Sequence, residues 1–443
     1  MDISNLIIQL QAKVNNLTYN QLAVAKSIEL LKTGQVNYAN TLTELPSASA
    51  SNGKMYYIRG LGIYYSNGTS WTTIETINYI IQNTSWSWGI GTCGVLGTNL
   101  TGACNQPVSV VGGFTDWCRV STGLRFNSSG VRQNGTAWGW GYNVCGAVGD
   151  NTAVNRSSPV SVVGGYTDWC GISSGCLHTA GIRQNGTIWF WGYGNLGRLG
   201  DNCGTLTNRS SPVSVVGGFT DWCQVSAGGA FSLGLRTNGN VWSWGVNDAG
   251  QLGDTTTTNR SSPVSITLNG GCFISAGMSH SLAISTAGQM AAWGCNAYGK
   301  LGDCTVANKN GPVLVVGGFT DWCQGAAGGS HSLGVRTNGS AWAWGSGGGG
   351  YLGNNCTTSR SSPVSVVGGF TDWCQLSAGA CHSLGVRQNG TAWAWGGNTA
   401  CQLGDGTSSG RSSPVSVLSP YTDWCRVSAG GEQSLAIRNF VDS

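Results

Sequence analysis

The sequence predicts a mainly β chain: a seven-bladed β-propeller over 84–443, preceded by a coiled-coil helix at 1–33 and a small β-meander and linker at 34–83. Three observations point there. A Trp-Gly pair recurs seven times, with its glycine at Gly89, Gly141, Gly192, Gly245, Gly294, Gly345 and Gly396, spaced 49 to 53 residues apart. The first thirty residues carry apolar side chains at alternating steps of four and three. Between these two regions lies a short segment dense in tyrosine and Asn-Gly.

The helix comes first. Ile7, Val14, Gln21 and Ile28 take the a positions of four heptads, and Ile3, Leu10, Leu17, Val24 and Leu31 the d positions. A strict 3.5-residue period is narrower than a globular face needs, so the expected role is oligomerisation; a single amphipathic helix packed on the propeller is the alternative. The lone polar seam residue, Gln21, would fix register and oligomer number. Gly34 ends the pattern. In the next segment, aromatic-rich runs at 55–59 and 62–65 flank a glycine turn, and Asn67-Gly68 leads into Trp71, which reads as a small β-meander.

The propeller rests on its repeat. A Pro-Val pair follows each Trp-Gly, beginning at Pro107, Pro159, Pro212, Pro263, Pro312, Pro363 and Pro414, and "TDWC" follows six times, with "NGGCF" at 269–273 in the odd slot. Each unit holds four short runs rich in Val, Trp and small residues, separated by Gly, Asn and Asp. Asn-Gly joins the third run to the fourth, at Asn134, Asn185, Asn238, Asn338 and Asn389, as a two-residue hairpin turn with positive φ requires. Four-stranded units that cannot bury their own faces stack into a ring, and the ring must close. The last unit stops before its Trp-Gly strand, while an orphan strand at 86–89 begins the first. Trp86 and Trp88 are therefore expected to pair with the segment holding Leu435 and Ile437, completing the seventh blade from both ends of the chain.

The recurring "SAGxxHSLGVRTNGTAWAWG", continuing as "GQLGDxTxxxRSSPVSV", resembles the RCC1 family of seven-bladed propellers over roughly 84–439. That resemblance implies the fold and says little about task, because the scaffold carries many. "LPSASASNGKMYYIRGLGIYYSNGTSWTTI" at 45–74 resembles a short module of bacteriophage tail fibres and other virion proteins. With a coiled coil before it and a receptor-sized β-domain after it, the order implies a fibre: attachment end, stalk and head.

Composition limits the chemistry. The net charge is +4 over 443 residues with no basic tail, so no nucleic-acid footprint is expected, and neither an export signal nor a membrane-spanning run is evident. Of four glutamates only Glu432 lies in the propeller, and most aspartates recur once per blade in "TDW" or "LGD", so they are expected to cap turns and bond backbone rather than form a catalytic pair. No catalytic residue, cofactor or metal is assigned. The four histidines, His178, His280, His331 and His382, share one repeat slot with Asn127, Phe231 and Gln433; a phenylalanine there argues against a ligand ring. The Trp pairs at i and i+2 point to one face and are expected to fill blade contacts. Cysteines recurring in "TDWC" are expected as buried thiols. Among the irregular ones, Cys93 with Cys104, Cys295 with Cys304, Cys145 with Cys176 and Cys356 with Cys381 are candidates for disulfides, formed on release into an oxidising medium.

The loops after each Trp-Gly vary most between units, and strand direction puts them on the face opposite the Asn-Gly turns, where the stalk would leave. Variable loops on a rigid ring are where recognition usually resides, which makes Tyr142, Tyr193, Arg198, Asp248, Tyr298 and Tyr351 candidate contacts. The leading expectation is a non-enzymatic virion structural protein, a phage tail or capsid fibre. It would be made in the host cytoplasm and act outside, trimerising through 3–31 and binding other virion proteins or a host surface receptor such as a glycan. The alternatives are an intracellular RCC1-like binding module or GTPase exchange factor, and a secreted propeller-type inhibitor or carbohydrate-binding protein.

Overall fold

The structure, a computed structural model, describes residues 81–203, 207–268 and 270–441, together with 36–39, 47, 49, 55–58, 62–66 and 70–73. The expected coiled coil from Ile3 to Leu31 lies outside the described residues, and among those described there is no α-helix, only three-residue 3-10 turns. The chain divides into two units, 1–82 with 440–443, and 83–439.

In the first unit, Val36–Ala39, Met55–Ile58, Gly62–Ser66 and Trp71–Thr73 form one sheet in that order. The last three pair antiparallel, as aromatic runs broken by glycine turns dictate, while Val36–Ala39 joins parallel to Met55–Ile58. That edge strand, "VNYA", is too short to show an alternating pattern, and the sequence reading did not include it.

The second unit is a ring of seven four-stranded sheets. Six are continuous in sequence, with strands in chain order: blade 1 (117–161), blade 2 (169–214), blade 3 (222–265), blade 4 (271–314), blade 5 (322–365) and blade 6 (373–416). Blade 7 runs Trp424–Ala429, Gln433–Val441, Ile81–Gly89, Cys104–Ser109, so the two ends of the propeller share one sheet as expected. Where five other blades turn at Asn-Gly and blade 4 at Ala287-Gly288, blade 7 instead has two nine-residue strands, and Asn83 donates its N–H to Thr115 O at 2.7 Å to hold the start of the ribbon.

The first strand of each blade, beginning Trp-Cys in six and Gly271-Cys272 in blade 4, is innermost, and these strands touch one another around the axis, the last against the first. Ser121, Ser173, Ser226, Ser275, Ser377 and Ser428 each accept, at 2.9–3.0 Å, a backbone N–H from the inner strand of the next blade. Blade 5, with Ala326 in that slot, lacks the bond. The Thr122 N–H donating to Ser428 Oγ makes the circle continuous across the ends.

Further out, one indole per blade is fully buried and reaches into the preceding blade. Trp140, Trp191, Trp244, Trp293, Trp344, Trp395 and Trp88 donate Nε1–H at 2.9–3.1 Å to the backbone carbonyls of Val95, Ala147, Arg198, Gln251, Lys300, Tyr351 and Gln402. The same carbonyls accept a hydroxyl from the second strand, Ser128 Oγ in blade 1 and Ser434 Oγ in blade 7. At the closure, Trp88 from the first ribbon and Ser434 from the last hairpin thus meet on Gln402 O, at 2.9 and 2.7 Å. Trp88 packs with Trp424 and Ala436 toward blade 6, whereas Leu435 and Ile437 pack with Trp117 and Trp140 toward blade 1. The alternation of a strand sends those side chains to opposite neighbours.

Candidate protein-binding face

The loops after Trp-Gly are built on a fixed frame. In blade 1 the buried Asn143 takes Val148 N–H on its Oδ1 at 2.9 Å and gives its amide to Asp150 Oδ1 at 3.0 Å and Val154 O at 3.1 Å. Asp150 also accepts from Thr152 and Arg156. Burial opposes ionisation of Asp150, but those hydrogen bonds from Thr152, Arg156 and Asn143 outweigh it and hold the carboxyl below its ordinary range. Asn247 with Asp254, Asn296 with Asp303 and Asn398 with Asp405 repeat the arrangement. The "LGD" aspartates therefore serve the loops, and the "TDW" ones pair with arginine, as in Asp116 with Arg132 at 2.7 Å.

On this frame the six candidate contacts separate. Tyr298 is 58% exposed and Asp248 is exposed, whereas Tyr142, Tyr193 and Tyr351 are half-buried. Arg198 is only 5% exposed. Its guanidinium lies 4.7 Å from the Tyr193 ring centre and bonds Asn195 O at 3.0 Å. Arg198 and Tyr351 occupy the slot whose carbonyl receives the next indole, and this turns their side chains inward. The Tyr351 hydroxyl bonds Cys381, and burial, helped by that bond, pushes its pKa up to about 12.

Besides Tyr298, the loops carry exposed apolar groups that varied sequence alone did not single out. Leu100, Val144, Val154, Leu196, Tyr298 and Val306 lie on the loops after Trp-Gly, and Met278 on the neighbouring inner turn of the same face; of the large apolar residues exposed among those described, only Leu314 and Leu418 lie elsewhere. Leu196 and Tyr298 have φ of 59° and 65°, in the slot that is Gly349 in blade 5. A left-handed backbone under a bulky side chain is costly and throws that side chain outward. An apolar residue centred between loop glycines was the available signal.

The histidines do not converge. Each is fully buried, and its Nε2 lies 2.8–3.1 Å from a serine hydroxyl of the next blade: His178 with Ser232, His280 with Ser332, His331 with Ser383 and His382 with Ser434. Each hydroxyl already donates to a loop carbonyl, so Nε2 must donate and Nδ1 is the bare nitrogen. None of the four Nδ1 atoms has a partner. Burial, with Arg198 adding to it at His178, lowers the pKa of His178, His331 and His382 to about 3 and that of His280 well below its ordinary value.

The cysteines recurring once per blade, six in "TDWC" and Cys272 in "NGGCF", correct the expectation of buried thiols: Cys170, Cys223, Cys272, Cys323 and Cys374 are exposed, Cys118 and Cys425 intermediate. Each is the extra residue of a β-bulge, Trp117 pairing with Arg132 and Arg119 with Val131, and the bulge turns the sulfur aside. All seventeen cysteines are free thiols, including the four candidate pairs. Their sulfurs have other neighbours: Cys176 meets Met278 Sδ at 3.4 Å, Cys356 meets Thr358 Oγ1 at 3.3 Å, and Cys381 meets Tyr351. Lys300 and Ser279 flank Cys295 and, against the effect of burial, help lower its pKa. Burial raises the pKa of Cys104 and of Cys145. Cys93 sits in a left-handed turn and Cys304, also left-handed, is exposed.

Comparison with known proteins agrees with this geometry. Human E3 ubiquitin-protein ligase HERC2 is 30% identical over 316 residues, 70% of this chain and 6% of its own length. The RCC1 domain-containing protein RUG3, mitochondrial, of Arabidopsis thaliana is 29% identical over 336 residues, 73% of this chain and 64% of its own. The chain thus spans less than two thirds of either relative. Among solved structures, yeast RCC1 (Prp20) bound to Kap60 superposes with a TM-score of 0.74 at 21% identity, covering 82% of this chain and 90% of that one; human WBSCR16 gives 0.72 at 20%, covering 80% and 98%. The RCC1-like domain profile matches residues 84–436, and the chain belongs to that family.

Proposed function

We propose that the chain is a non-catalytic RCC1-like binding module whose Trp-Gly loop face receives a polypeptide partner. The observation that carries it is the gathering of Leu100, Val144, Leu196, Tyr298 and Val306 on one face, two of them on left-handed backbone, above loops whose charges are already used internally. Apolar groups displayed on a rigid frame are what a protein interface buries. The relatives favour a polypeptide: yeast RCC1 was solved bound to Kap60, and Prp20p was studied for its binding to Gsp1p and histones. Cross-linking mass spectrometry on the complex recovered from source cells should place the partner on 90–103, 142–155, 193–208 and 295–308. Tyr298→Ala with Val306→Ser should weaken recovery about tenfold without changing the melting temperature. Cross-links confined to the opposite face would refute this reading, and acceleration of nucleotide release from a small GTPase would narrow it to an exchange factor.

A virion fibre is the second reading. Supporting it are the heptad spacing of 3–31 and the aromatic sheet at 36–73 that follows, while the comparisons support the binding module. A trimer mass for the full chain that falls to a monomer without residues 1–33 would favour the fibre. A monomer in both would exclude it.

A further inference from the structure

Blade 4 departs from the other six on the Asn-Gly face, opposite the binding loops. In blade 3, Phe219 lies against Trp222 and Trp242, with ring centroids 5.8 and 5.2 Å away. Arg236 covers the ring, Cζ 4.0 Å from its centre, and pairs with Asp221 at 2.7 Å. Blades 1, 2, 5, 6 and 7 build the same cluster around Phe114, Tyr166, Phe319, Phe370 and Tyr421. Blade 4 has lost every member: Gly271 stands for the first Trp, Gly270 for Asp, Ser285 for Arg and Ala291 for the second Trp. Its connector is also shorter and carries no aromatic residue, with six steps from Ser265 to Gly271 against eight from Ser214 to Trp222.

The wall that encloses the cluster is nevertheless intact. Gly271 N–H donates to Gly239 O at 2.8 Å and Thr286 N–H to Gly270 O at 2.7 Å, matching Trp222 to Gly186 and Thr237 to Asp221 in blade 3. What results is a solvent-open depression of about 510 Å³, lined among others by Leu268, Ser285, Gln289, Ala291, Pro312 and Leu314. That volume is within the range of small-ligand sites, roughly 300–1,000 Å³. Leu314 replaces the serine found opposite the lost Trp in the other blades, pairing with Ala291 as Ser265 does with Trp242. Were it a packing compensation, it would fold into the gap. Instead it is 58% exposed at the rim.

We propose that this depression binds a neutral aromatic side chain, tryptophan or tyrosine, presented by a partner polypeptide. Six blades place an aromatic ring of their own chain at this point of the repeat, where blade 4 has only the smaller Leu268 against its core. Among the described residues the lining has no charged group, which disfavours an ionic ligand, while Ser285, Thr286 and Gln289 offer partners for an indole N–H or a phenol O–H. The turn that delivers the ring elsewhere, Gly-Gly-Phe in four blades, Gly-Gly-Tyr in blade 2 and Ser-Pro-Tyr in blade 7, is shortened here, which leaves the route open for a chain from outside. The site is separate from the loop face, and its failure would leave the reading of that face standing.

The test is isothermal titration and saturation-transfer NMR on the full chain with N-acetyl-tryptophanamide, N-acetyl-tyrosinamide and free indole. Saturable binding of a capped amide is expected. Ala291→Trp with Leu314→Ser, which restores the pair of the other blades, should weaken it by about tenfold or more, the loss that follows from removing about 1.4 kcal/mol of binding free energy, while leaving the melting temperature equal or higher. Ser285→Arg should do the same by a different side chain, which keeps the test decisive if the double variant fails to fold. No binding by wild type, binding undiminished in the filled variants, or binding of indole but not of the capped amides would each overturn the proposal.

Discussion

Acidification should strongly destabilise this propeller before its carboxylates titrate, because four imidazoles are locked in one protonation state. His178, His280, His331 and His382 are buried as neutral rings with Nε2–H donating to serine and an unpartnered Nδ1, so a second proton on Nδ1 would create a buried imidazolium whose new N–H has no acceptor. In the unfolded chain each titrates near pH 6.5. The folded values lie below, at about 3 for three of them, so the stabilisation is complete above about pH 6.5 and is lost as pH falls from there toward the folded values. At about pH 5.5 the unfolded chain gains nearly one proton per histidine, a loss of about 1.4 kcal/mol each, or up to about 5.6 kcal/mol for four. That is a large share of an ordinary domain stability of about 5–15 kcal/mol. Denaturant unfolding at about pH 7.5 and 5.5 measures it. Phe231 already fills the slot in blade 3, so the fourfold His→Phe variant should fold and lose most of the pH dependence. Equal stability at both pH values in the wild type, or an unchanged slope in the fourfold variant, would refute the tautomer argument.

Two further outcomes concern the closure. Gly404 has φ of 66°, and a Cβ there would lie 2.7 Å from Trp88 Nε1, so Gly404→Ala should destabilise by about 1–3 kcal/mol in thermal unfolding, through backbone strain and a blocked indole. Trp88→Phe removes the bond to Gln402 O and part of the packing between the ends, at a cost of about 1–3 kcal/mol, and limited proteolysis should then cut first in the ribbon around 81–109.

The number of blades, the hairpin turns and the sharing of blade 7 between the chain ends were determined by the sequence alone, because a repeat states its period and an incomplete last unit states what is missing. Trp86, Trp88, Leu435 and Ile437 could be assigned to one sheet on that ground. Which side each faced required the ring, since Trp88 packs toward blade 6 and Leu435 toward blade 1. Burial within the loops likewise required tertiary structure. Arg198 reads as a surface charge in sequence, yet a carbonyl bond to the next indole turns its side chain inward, and the bulge that exposes the recurring cysteines is a matter of register, which composition does not encode. Sequence spells out the loss of aromatic residues in blade 4, but only the packed neighbours decide whether that loss collapses or leaves an open depression, because the outcome depends on a wall held by backbone bonds from two blades.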